Sequence, residues 1–517
     1  YIKKQPWGKR VIGFRVSYGI YTEWHTYGMY EAPDTGIRMT EAFREYLRKK
    51  YGDDVSLQKA WGHKEITLKN VQVPGVSKRR HPGNILLDPV RDRAVLDYYD
   101  CHANVQADFL LELAKTIKNR FPDKLCGAYY GYVFTAHPPE GCNILLDKVL
   151  QSPYIDFLSD PASYSTVSRL AGGDFSHRTV TSTFRRYGKL AFLEDDTRFH
   201  LIRNFKDVVH AARNAVESNA IVLRNICNMY FNGSAIQIAD AEYGRYSRPH
   251  SFDDPGVLKN LKQVFSILNQ LQSAPKDSGN DTAVVIDYRE RLKADGLAWK
   301  VYSYNILNQY TRQYLNRAGV AYDMMTLQDF LVSGKNYKVV VFLNLFSPSK
   351  KEREAIKAKI RKPGITTVWL IAPGSVTENG FSDQAMSELT GITLQGAGTN
   401  PEVKCLDKEA RKSTETSVMK TFADGSRAVF CRDVPKSGAE WQNILRKAGS
   451  HIYTAPGSYF RKHGNVFMFH TGTRGTHRIS LRENAGSVTE LFTNQTLMAD
   501  NIVLKTDGPA TWLFQMN

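Results

Sequence analysis

Glu23 stands in "YGIYTEWHTYG" (residues 18–28), among aromatics and a histidine, just after the apolar run "VIGFRV", which reads as a buried strand. A second glutamate, Glu194, sits near the end of the strand-like stretch "GKLAFLEDDTR". A carboxylate in such a place is costly unless it is paired or used. Two carboxylates facing each other, one protonated and one ionised, can cleave a glycosidic bond. One protonates the leaving oxygen while the other attacks the anomeric carbon. Nearby aromatics (Trp24, Tyr27, Tyr130, Tyr132 and Tyr164) suit that chemistry, because the C–H faces of sugars stack on rings. Taken as strand ends alone, the same glutamates could equally be solvated or hydrogen-bonded carboxylates.

The elements that must position this pair alternate. Strand patterns cover 11–20, 125–134, 154–160, 189–195 and 235–240, with amphipathic segments between them. "TEAFREYLRKKYG" reads as a helix capped by Thr40, with Phe43, Tyr46 and Leu47 on one face and a stop at Gly52. "NVQADFLLELAKTIKNRF" repeats Val105, Phe109, Leu113 and Ile117 at four-residue steps, predicting a helix that buries that stripe. Alternating strand and helix implies a parallel sheet with helices outside. In a barrel of this kind the carboxyl ends of the strands converge on one mouth. After the turn-rich "SAPKDSGNDT" (273–282), a second alternating unit spans 283–435 and reads as a doubly wound α/β domain. Short strands over 450–517 predict a small antiparallel β-domain.

The bulk composition narrows the function class. The chain has 517 residues, enough for several domains, and no apolar run long enough to span a bilayer. Its net charge of +17 is spread along the chain and no nucleic-acid module accompanies it, so a solvated surface is the expected reading even for the densest cluster, "SKRRHPG" (77–83). Attraction to an acidic polysaccharide is the sharper alternative. Six scattered cysteines show no metal-ligand spacing and no disulfide framework. The compartment stays open, with a periplasmic or secreted location weighted slightly above a cytoplasmic one.

"GFRVSYGIYTEWHTYG", "MTEAFREYLRKKYGDDVSLQKAWG" and "GKLAFLEDDTR" together resemble the glycoside hydrolase family 42 β-galactosidases. The helix ending in Ala-Trp-Gly is the most specific of the three. The resemblance implies a (β/α)8 TIM-type barrel over 1–275, represented here by strands four to eight with the first three lacking. It further implies an amidotransferase-like domain over 283–435 and a small β-sandwich over 450–517. It makes Glu194 the nucleophile and Glu23 the acid/base of a retaining exo-β-glycosidase, with no cofactor, no metal and a homotrimeric assembly around an oligosaccharide substrate. Thr22 stands where the family has an asparagine touching the sugar 2-hydroxyl, which puts galactose in question more than glycosidase chemistry.

Further candidates for substrate contact are His25, Tyr130, Tyr164, Arg198, Asp240 and Glu242. Arg198 could orient the nucleophile, Tyr164 could hydrogen-bond it, and Asp240 and Glu242 could bind sugar hydroxyls. Asp195 and Asp196 read as solvated or capping residues. The middle domain resembles class I amidotransferases, but "LIAPGSV" has no cysteine at the turn where they carry their nucleophile, so it reads as structural. Alternatives are a β-glycosidase for mannosides or anionic galactans, a catalytically inactive carbohydrate-binding protein and, last, a nucleic-acid binder.

Overall fold

The computed structural model describes residues 2–31, 34–134, 137–141, 143–202, 212–239, 251–271, 275, 277–298 and 310–517. Its first sheet has five strands: β1 (Gly13–Val16), β2 (Leu125–Tyr129), β3 (Phe157–Pro161), β4 (Leu190–Asp195) and β5 (Ala235–Ile238). All pair in parallel, each with its neighbour in chain order. Parallel pairs need crossovers, which here include α1 (Ile37–Tyr51), α2 (Asp54–Trp61) and α3 (Arg93–Arg120) between β1 and β2, and α4 (Ala215–Asn232) between β4 and β5. The helix α5 (Pro255–Gln270) follows β5.

The sequence reading expected an N-terminally incomplete barrel; the described residues form a deeply curled five-stranded trough with β1 and β5 at its edges. The curl follows from one hydrogen bond. Arg15 on β1 donates to Gln237 Oε1 on β5 at 2.9 Å. In a flat sheet, four strand intervals of ~4.8 Å would hold those backbones about 19 Å apart, beyond the combined reach of the two side chains. The edges must therefore bend toward each other.

Two helix readings need revision. Helix α1 starts at Ile37 with Gly36 as N-cap, so Thr40 lies inside it and its hydroxyl donates to the Gly36 carbonyl at 3.0 Å. In α3 the buried stripe includes Ala103, Ala107, Leu110 and Ala114, whereas Val105 and Phe109 are exposed. Small residues let the helix approach the sheet closely. Phe109, one face over, packs edge-on against Tyr18 and Trp24 at the rim.

The second sheet has a parallel core of β6 (Thr282–Ile286), β7 (Asp323–Thr326), β8 (Val339–Phe342), β9 (Thr366–Leu370) and Arg427–Cys431, edged by antiparallel strands. After β9, Ile371 sits at φ 66°, a strained conformation for a β-branched residue. Its aliphatic side chain is buried. The last 70 or so residues form antiparallel sheets, with Val466–Thr471 paired between Tyr459–His463 and Ala510–Met516.

One apolar core runs from the trough's outer face into the second sheet. Polar contacts pin the two together: Asp329 accepts from Ser182 at 2.5 Å and Thr183 at 2.7 Å and pairs with Arg186 at 3.0 Å. The cationic cluster at 77–83 is only partly a solvated surface: Lys78 is exposed, whereas Arg79 and His81 are held by acidic partners. Arg79 is fully buried, 3.5 Å from the equally buried Glu140, and His81 Nδ1 meets Asp295 at 2.7 Å.

Candidate active site

The concave face of the trough is set by the two-residue period of its strands. Arg15, Tyr129, Ser159, Glu194 and Gln237, one from each strand, come together there. Glu194 registers against Pro161 on one side and Gln237 on the other. The Tyr129 hydroxyl donates to Glu194 Oε2. Arg15 donates to the Tyr129 hydroxyl at 2.8 Å and to Ser159 Oγ at 3.1 Å, and its guanidinium lies 4.3 Å from the centre of the Tyr129 ring. Burial, with the charges of Asp196 and Glu23, pushes the Glu194 carboxyl up to about 7, against the pull of Arg15.

Glu23 lies beyond β1, which ends at Val16, in a loop whose backbone is strained around it. Tyr21, Thr22 and Trp24 adopt left-handed φ values of 54°, 67° and 59°. Each such residue costs about 1–3 kcal/mol and persists only where its surroundings over-determine it. Here they do. The Trp24 indole, buried, donates to the Val16 carbonyl at 3.0 Å. Gln106 donates to the Trp24 carbonyl at 2.6 Å, and Asn143 to the Glu23 carbonyl at 2.7 Å. Asn143 Oδ1 also accepts from the Tyr132 amide, which ties the Glu23 loop to the end of β2.

His25 supports Glu23 from beneath. Its Nδ1 pairs with the Gly141 carbonyl at 2.9 Å, which makes Nδ1 the protonated nitrogen. Nε2 then faces Glu23 Oε2 at 3.5 Å. His25 is buried, so it touches the carboxylate rather than serving as a substrate contact in its own right, as the sequence suggested. The Glu23 charge acts on Glu194, Tyr132 and Tyr164 alike, so these groups share one field.

Other expected contacts fall elsewhere. Tyr130 is fully buried and its hydroxyl accepts from the Leu145 amide at 3.3 Å; the neighbouring Tyr129 faces the trough instead. Tyr164 is exposed beside Arg169 and Arg178 (4.1 and 4.6 Å from its ring centre), and Tyr129 makes the nucleophile bond expected of it. Arg198 pairs with Asp196 at 3.2 Å, and Arg15 occupies the orienting position expected for it. Asp195 and Asp196 are buried, not solvated: Asp196 pairs with Arg169 at 2.6 Å and Asp195 accepts from Asn225 at 3.0 Å. Trp24 and Tyr132 are buried, whereas Tyr21, Tyr27 and Tyr164 are exposed aromatics. Thr22 is exposed. Asp240 and Glu242 lie outside the described residues. Sequence reasoning missed Arg15, Tyr129 and Asn143. A charge inside the apolar run "GFRV" was the available signal for the first.

The raised Glu194 carboxyl has a pH consequence. Between its ordinary value of 4.5 and about 7 the folded chain holds a proton that the unfolded chain has released. Its contribution to stability is therefore complete below 4.5 and is lost as pH rises through about 7. The melting temperature of Glu194→Gln is expected to decline less than the parent's between pH 5 and pH 8, read by thermal melts across that window [~P129].

No family model matches the sequence, and no curated protein matches it. Solved structures do match its fold. A β-galactosidase from Bacillus circulans sp. alkalophilus superposes with a TM-score of 0.65 at 13% identity, over 100% of this chain and 80% of that one. Gan42B, a GH42 β-galactosidase from G. stearothermophilus, matches with a TM-score of 0.62 at 14% identity, over 93% of this chain and 76% of its own. An exo-carrageenase GH42 from Bacteroides ovatus gives 0.56 at 12% identity, over 98% and 65%. The chain thus has, along its length, the fold seen in GH42 glycosidases.

Proposed function

We propose that this chain is a retaining exo-β-glycosidase, with Glu194 as nucleophile and Glu23 as acid/base. The observation that carries the reading is Glu194 on the concave face, held by Tyr129 and Arg15, in the field of a second carboxylate on a strained loop. In the first step Glu194 attacks the anomeric carbon while Glu23 protonates the departing oxygen, leaving a covalent glycosyl-enzyme. In the second, Glu23 takes a proton from water, which attacks the same carbon and releases the sugar with its configuration retained.

The donors on Glu194 support its part. Tyr129 fixes one oxygen, leaving the other to approach the sugar. The Glu194 carboxyl must be ionised to attack, so kcat/KM is expected to rise with pH up to about 7. His25 Nε2, 3.5 Å from Glu23 Oε2, is placed to accept the proton that Glu23 carries as the acid. β-Galactosides are the first substrates to test, as the solved structures with this fold include β-galactosidases. Initial rates on aryl β-galactoside, β-glucoside and β-mannoside check the reading. Turnover of at least one, with release of a single terminal sugar, is expected, and no turnover of any would contradict it. A homotrimer and independence of any cofactor belong to the same proposal.

A further inference from the structure

A second set of polar groups borders Glu23, and the reaction just described does not use it. Arg291 is only 4% exposed, yet its Nε and both terminal nitrogens have no hydrogen-bond partner among the described residues. A guanidinium cannot shed its charge as a lysine can, so burying one without acceptors is unfavourable unless an anion reaches it. Its place is well fixed. The turn Tyr288–Lys293 that carries it packs against the turn Pro139–Gly141, and Gly141 is the residue that holds His25. Hydrogen bonds to the 81–87 segment hold the downstream chain: the Asp295 carboxylate accepts from the His81 amide at 2.9 Å, and the Lys293 carbonyl accepts from the Leu87 amide at 2.9 Å.

Arg178 lies against two aromatic rings. Its guanidinium lies 4.6 Å from the Tyr164 ring centre and 5.6 Å from that of Tyr132, and no ion pair is described for it. Tyr132 is fully buried, its hydroxyl has no partner among the described residues, and its ring meets His25 edge-on at 5.4 Å. His25 in turn lies 4.2 Å from His137, ring centre to ring centre. Burial, then the charges of His25, Arg178 and Arg291, disfavour a proton on His137, so both guanidinium groups act on this histidine. Arg291 and Tyr132 thus bring buried donors without partners among the described residues to the surroundings of the His25–His137 pair, and Arg178 adds a second guanidinium beside Tyr132.

We propose that Arg178 and Arg291 form a subsite for an anionic substituent, a sulfate ester or a uronate carboxylate, on the sugar chain that Glu23 protonates. The planar fork of each guanidinium suits the paired oxygens of either group. Tyr132 adds a neutral donor beside them. The substrate class that follows is an anionic β-linked glycan. This inference rests on the glycosidase reading for its place at the cleavage point, but not for the binding itself.

Calorimetric binding to the full chain tests it, with three probes: an aryl β-galactoside, the same glycoside bearing a sulfate ester, and the corresponding β-galacturonide. At least one anionic probe is expected to bind about tenfold tighter than the neutral one, and Arg178→Met and Arg291→Met should each erase most of that preference. Whether the sulfate or the carboxylate probe gains identifies the substituent. Arg291→Met removes a buried charge, so a melting temperature at or above the parent's accompanies the loss; Arg178→Met, at a half-exposed position, gives the same readout should the first variant misfold. Equal affinity for all three probes, or a preference that survives both substitutions, overturns the subsite. Anion-selective binding without turnover would leave it standing and remove the glycosidase reading, while turnover of neutral glycosides without anion preference would do the reverse.

Discussion

Glu194→Ala is expected to lower kcat/KM on an aryl β-galactoside by about 10⁴-fold or more, since among the described strand residues that meet on the concave face it is the carboxylate. Arg15 and Tyr129 would remain aimed at the space the carboxylate leaves. A small anion can enter such a space, so azide should restore part of the rate and yield the α-linked glycosyl azide, formed by one inversion. The fold should survive, because Glu194 is half-buried and its removal relieves a carboxyl that burial disfavours in its charged form. A variant that kept more than about a tenth of the parent rate would remove Glu194 from the nucleophile's role.

Glu23→Ala should behave differently. Loss of a general acid costs about 10²–10⁴-fold, and the cost depends on how much the leaving group needs a proton. An alkoxide leaving group should suffer the whole loss; a dinitrophenolate, which departs without protonation, should suffer little in the first step. The glycosyl-enzyme should then accumulate, since water no longer has a base, and azide should give the β-linked product by two inversions. This contrast matters because burial pushes the Glu194 carboxyl toward its protonated form in the free protein. If the leaving-group dependence followed Glu194 and the α-azide followed Glu23, the two roles would be exchanged.

Much of the trough was legible in the sequence because parallel strands buried on one face and helices amphipathic on one side leave plain periodicities. The two glutamates were legible for a related reason: charge at the end of an apolar run is conspicuous. What the period could not supply was phase. In "GAYYGY" the residues Tyr129 and Tyr130 point to opposite faces, and only the pairing of β2 with its neighbours decides which one meets Glu194. The same ambiguity put Val105 and Phe109 on the wrong side of α3. Arg15 escaped notice because a cation inside a strand makes sense only once the sheet is curled and β5 comes within its reach.

The strained loop could not have been read at all. Nothing in the string "YTEW" announces left-handed backbone at three non-glycine residues; that conformation comes from Gln106, Asn143 and Gly141, all far along the chain. Arg291 is hidden for a similar reason. In sequence it is one cation in "YRERLK", and its burial beside His137 arises from the docking of the second sheet against the first. Charge spread evenly along a chain can therefore still be concentrated at one place in the fold.

The central claim is that Glu194 forms a covalent bond to the sugar, and trapping that bond tests it most directly. The protein would be incubated with a 2-deoxy-2-fluoro-β-galactosyl fluoride, whose first step is fast relative to its second, then weighed intact and digested for peptide mapping. A mass increase of one fluorosugar is expected, carried by the peptide that contains Glu194 and absent from Glu194→Ala. A label on Glu23 or any other residue, or no label on a preparation that hydrolyses aryl β-galactosides, would contradict it.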